Sequence, residues 1–172
     1  MTLTSAPSTD EILAHLEQRR DDRPPSDLTS DEQARLAAAA AADKKAEELR
    51  VLDLSTVSDF TDRFLICSGN SERQVKAIAD SISDALRRAK VKPLHIEGFN
   101  QGQWVLLDYG GHLVIHVFHR DVRGFYDLDR LWSDAPDLTE SLGGAPDAPL
   151  QAAVRQSAET QSAEAADAAP AD

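Results

Sequence analysis

Residues 104–132, WVLLDYGGHLVIHVFHRDVRGFYDLDRLW, constrain the fold of this chain more than any other segment. They hold two apolar strands joined across Gly110-Gly111, a polar break, and an acidic-aromatic stretch. Side chains alternate along a strand, so Trp104, Leu106 and Asp108 point one way and Val105, Leu107 and Tyr109 the other. On the second strand Leu113, Ile115 and Val117 oppose Val114, His116 and Phe118. Both faces are apolar, and such a sheet requires cover on both sides. The chain offers few helices for that purpose. The expectation is that a partner protein covers part of one face, with Trp104 presented to it.

The flanking sequence sets the fold class. A helix is expected over about residues 30–49, where SDEQARLAAAAAADKKAEELR opens on a Ser/Asp cap and is rich in alanine. VLDL (51–54) and RFLICSG (63–69) read as strands, the second continuous and buried. Asn70 or Ser71 caps a helix that runs to about Ala89, with Val75, Ile78, Ala79, Ile82, Ala85 and Leu86 on one stripe. Pro93 ends it, and LHIEGF (94–99) forms a short strand. Strand, helix and strand over 63–98 make a crossover unit that favours parallel strands. The last three strands lie close in sequence and include antiparallel pairs. The expected class is α/β, with a mixed sheet of about five strands. HRDVRGFYDLDRLW adds one or two short helical segments.

Three regions follow. Residues 1–30 are an N-terminal extension with a short helix from about Thr9 through ILAHLEQRR, residues 31–136 the folded domain, and residues 137–172 an acidic Ala/Pro-rich tail expected to be disordered. The formal charge is −12, and residues 135–172 carry seven acids against one base, half of it. Such a chain is a poor ligand for phosphate backbones, so any work near RNA is expected to proceed by docking on protein. Arg87, Arg88, Lys90 and Lys92 mark a helix C-terminus, where cations favour the dipole. No run approaches the roughly 20 apolar residues that span a bilayer, and no signal pattern opens the chain, so a cytoplasmic location is expected.

Residues that could carry chemistry read as structural. Cys67, the one cysteine, lies in the run FLIC and is expected to be a buried thiol. His112 and His116 share a strand face but stand roughly 13 Å apart at about 3.3 Å per residue, too far to bind one zinc. Asp127 and Asp129 lie two apart in a helical segment, where side chains diverge, and are expected to cap or face solvent. SGNSERQ (68–74) precedes a helix N-terminus, yet has one glycine and no lysine, so Asn70 and Ser71 serve as turn and cap. No metal site, cofactor or catalytic set is expected.

Several runs, taken together, resemble the ribosomal silencing factor family (RsfS, Iojap-like). They are DKKAEELRVLDLS (43–55), DFTDRFLICSGNSERQVKAIAD (59–80), KPLHIEG (92–98), WVLLDYG (104–110) and VFHRDVRGFYDLDRLWSDAP (117–136). The resemblance implies a fold like that of nucleotidyltransferases but without their catalytic acids. It implies a non-enzymatic factor that docks on the fourteenth protein of the large ribosomal subunit. There it blocks joining of the small subunit and lowers translation when nutrients are scarce. It further implies a partner-binding set of Trp104, Leu106, Asp108 and Tyr109, with Phe125, Tyr126 and Asp127. The rival readings are a nucleotidyltransferase-like enzyme that needs Mg²⁺ and a nucleotide, and a homodimer formed through the apolar sheet face.

Overall fold

The computed structural model describes residues 28–143. The helix expected near the N-terminus lies outside this range. Within it the chain folds into a five-stranded mixed sheet with two long helices on one face. The elements are α1 (Ser30–Asp43), β1 (Glu47–Asp53), β2 (Arg63–Gly69), α2 (Glu72–Arg88), β3 (His95–Glu97), β4 (Trp104–Asp108), β5 (Leu113–His119), α3 (Arg120–Tyr126), α4 (Leu128–Leu131) and α5 (Thr139–Leu142).

The strand order is β1-β2-β5-β4-β3. β2 and β5 are parallel, Arg63 opposite Leu113 through Gly69 opposite His119, and the other neighbouring pairs are antiparallel. β2 and β3 therefore run the same way, as the crossover reading requires, but β5 and β4 lie between them. The β4–β5 turn is closed by Asp108, whose Oδ1 accepts a bond from the Gly110 amide at 2.7 Å. Gly110 takes a positive φ of 73° there, a conformation that glycine adopts without strain.

Three boundaries differ from the sequence expectation. The first helix ends at Asp43 rather than about residue 49, because Lys45 turns left-handed and Glu47–Asp53 pairs with β2. Cross-strand pairing thus overrides the helical propensity of AEEL. β3 is shorter than 94–99. Residues 137–143, expected to open the tail, instead close the free edge of β1. Leu52 bridges Asp137, the Leu138 amide donates to the Val51 carbonyl at 2.8 Å, and Leu142 is buried.

The sheet is covered on both faces. On one, the alanine stripe of α1 (Ala34, Ala37, Ala38, Ala41) and the apolar stripe of α2 pack over Val51, Leu65, Cys67, Val105, Leu107, Ile115 and Val117. On the other, Leu52, Phe64, Ile66, Trp104, Leu106, Val114 and Phe118 lie beneath Leu54, Phe60, Leu128 and Ala135, with Tyr126 and Trp132 against them. The expectation of an open face left for a partner is thereby corrected. The cover comes from the chain itself, as a thin layer of loop and two short helices.

Candidate docking surface

The thin layer begins where β5 ends. His119 caps α3, its Nδ1 accepting from the Asp121 amide at 3.2 Å. α3 ends at Asp127, whose left-handed backbone (φ 47°, ψ 49°) turns the chain straight into α4. Aromatic contacts hold this angled pair down. The Tyr126 ring lies 4.4 Å from that of Trp104, and Trp132 meets Phe60 and Phe64 edge-on at 5.8 and 5.6 Å.

Below this lid, the Trp104 indole Nε1–H donates to His116 Nδ1 at 3.1 Å. Burial pushes His116 down to about 3, so the ring is neutral and its proton sits on Nε2. No hydrogen-bond partner meets that buried Nε2. Such a group weakens the fold relative to a satisfied one.

A salt-bridge network ties the layer to the sheet. Arg123 Nε and Nη2 donate to the two Asp129 oxygens, each at 3.1 Å. Arg50, on β1, reaches Asp129 and Asp137 at 3.0 Å each. These arginines, with the Thr139 hydroxyl and amide on Asp137, hold both carboxyls below the usual carboxylate range in spite of their partial burial.

The structure separates the seven residues singled out by the resemblance. Trp104 is only 7% exposed, and Leu106 and Asp108, on the same sheet face as expected, are buried with it. Tyr109 is buried on the opposite face, under α2, where burial pushes its phenol up to about 12 against the pull of Ser83 and Arg87. All four are thus buried in the free chain, under cover that the sequence reading did not expect. Phe125 stands out at 83% exposed, Tyr126 is half-buried between it and Trp104, and Asp127 forms the joint. Sequence reading missed Leu131, 51% exposed on α4, and Val57, 44% exposed on the loop before Phe60. It also assigned Asp129 to a cap or to solvent, whereas Asp129 pairs with two arginines. The signal for both misses was faint, since four-residue helices and loops have no readable periodicity.

The remaining candidates resolve locally. Ser71 caps α2, accepting from the Gln74 amide, while the Gln74 side chain binds the Asn70 amide and the carbonyls of Lys44 and Lys45. The helix start is thus occupied by the chain itself. Cys67 is buried, which pushes its thiol up to about 12. His112 Nδ1 meets the Ser30 hydroxyl at 3.0 Å, and that hydroxyl donates to Asp62. Among the described residues no helix is long and apolar enough to cross a membrane.

Comparison with known proteins gives a consistent result. A family model described as ribosomal silencing factor during starvation matches residues 27–171. A ribosomal silencing factor of Bacillus subtilis is 47% identical over 102 residues, covering 59% of this chain and 86% of the relative. A mitochondrial Iojap-related protein of Arabidopsis thaliana is 27% identical over 105 residues, covering 58% of this chain and 56% of that one. A crystal structure of a Chromobacterium violaceum protein, 37% identical, superposes with a TM-score of 0.60 over 62% of this chain and 88% of its own. A Bacillus halodurans crystal structure, 43% identical, gives 0.53 over 59% and 91%.

Proposed function

The chain belongs to the ribosomal silencing factor family, and from that membership we propose that it docks on the large ribosomal subunit and keeps the small subunit from joining. The partner we assign is the fourteenth protein of the large subunit, the setting is nutrient shortage, and the mechanism is occlusion rather than catalysis. The observation that carries this reading is Phe125. A phenylalanine 83% exposed on a short helix pinned from below is a ready anchor for a partner's pocket. Leu131, on α4, and Val57, on the loop before Phe60, are further exposed apolar side chains. Tyr126 and Asp127 shape the segment. Trp104, Leu106, Asp108 and Tyr109 contribute from beneath, as parts of the core.

The test is subunit-association light scattering with purified subunits, with and without the protein. Added protein is expected to suppress the scattering rise that marks joining, and Phe125→Ala to lose most of that effect. Unchanged joining in the presence of wild-type protein sinks the reading. The exposed apolar residues also fit a second copy of the chain, and light scattering across a dilution series distinguishes a dimer.

A further inference from the structure

Arg123 lies in the middle of the helix that carries Phe125, yet it is only 6% exposed. Its guanidinium forks onto Asp129, as described above. Its Nη1 donates to the Glu48 carbonyl at 2.6 Å and to the Ser68 hydroxyl at 2.9 Å. Of the non-glycine residues with left-handed backbone among those described, two border this arrangement. Glu48 (φ 48°) sits in the β1 irregularity, between Glu47 and Arg50, and directs its carbonyl at Arg123. Asp127 (φ 47°) is the joint that brings Asp129 back over Arg123. Non-glycine residues in such conformations persist only where their surroundings hold them. The planar fork of arginine fixes an angle in a way that a point charge does not. One side chain of α3 therefore bonds both the bulge beneath the layer and α4. The exposed large apolar side chains of those two helices are Phe125 and Leu131.

We infer that Arg123, clasped by Asp129, is a positioning residue for docking: it touches no partner but holds α3 and α4 at the angle that presents Phe125 and Leu131. This rests on the docking reading given above. The test is a double-mutant cycle in the full chain, comparing wild type, Arg123→Lys, Phe125→Ala and the double variant. Binding is read by co-sedimentation with purified large subunits, and mobility by amide hydrogen exchange. Arg123→Lys keeps the charge and loses the fork. Phe125→Ala is expected to weaken binding roughly 30-fold and Arg123→Lys roughly tenfold, and the double variant little more than Phe125→Ala alone, because both act through one surface. Exchange over residues 120–132 is expected to speed up in Arg123→Lys while β2 and β5 keep their protection. Should Arg123→Lys fail to fold, Asp129→Asn, which keeps the shape of its side chain, is expected to show the same pattern. Wild-type binding by the folded clasp variant, or losses that multiply in the double variant, overturns the positioning role. Failure of the wild type to co-sediment overturns the docking reading, and the positioning role with it.

Discussion

Phe125 and Trp104 lie on opposite sides of one thin layer, so their substitutions separate docking from folding. Phe125→Ala removes a ring that is mostly in water. Its unfolding free energy in urea should stay within about 0.5 kcal/mol of wild type. Its affinity for large subunits should fall by about 2 kcal/mol, roughly 30-fold. Trp104→Ala removes a ring packed on His116, Phe118 and Tyr126, and should cost about 3–5 kcal/mol of stability. If the two variants proved equally stable, Trp104 would not be the core residue described here. His116 adds a pH dependence. Its folded pKa is depressed to about 3, so the unfolded chain binds the extra proton first as pH falls. The stability of the neutral ring is present above about pH 6.5 and is lost progressively as pH falls from there toward 3. Asp53, Asp129 and Asp137 are shifted down, so their contributions fade only below the ordinary carboxylate range. Urea midpoints between pH 6.5 and 4 should therefore fall in wild type and flatten in His116→Asn.

Among the elements, the central ones were legible in the sequence because hydrophobic pattern and packing agree there. RFLICSG, the stripe of α2, and the alternation of β4 and β5 place the side chains as the sequence reading assigned them. β1 was misread in part because Glu47 and Glu48 favour helices, and only pairing with β2 makes them strand. The segment 137–143 looked like tail because its composition is polar. Its structural role rests on Leu138, Thr139 and Leu142 meeting β1 and α1, which no local pattern encodes. Leu142→Ala should accordingly lower stability by about 2–3 kcal/mol in urea, where a true tail residue would change nothing. Gly98 tests the link between β3 and β4. Its φ is +75°, and a Cβ there would lie 2.0 Å from the Trp104 carbonyl oxygen. Gly98→Ala should destabilise by more than about 1–2 kcal/mol, a sharper loss than for Gly124→Ala, where open space surrounds the added methyl.

For the whole molecule, the number of strands and the mixed pairing were legible, whereas the source of cover for the second face was not. Two long helices announce themselves by period. A cover made of a loop, a seven-residue helix and a four-residue helix does not, although it buries one of the two core clusters. That difference turned an internal wall into an expected interface and moved the candidate contacts from the sheet to the layer above it. The order of the strands carries a consequence of its own. β5 is the last strand along the chain and the middle one in space, with β2 on one flank and β4 on the other. Its partner β2 is distant in sequence, so this pairing awaits the slow closure of a long loop. During translation the earlier strands emerge with a gap between them, and the growing polypeptide has no finished sheet on which to seat Phe125.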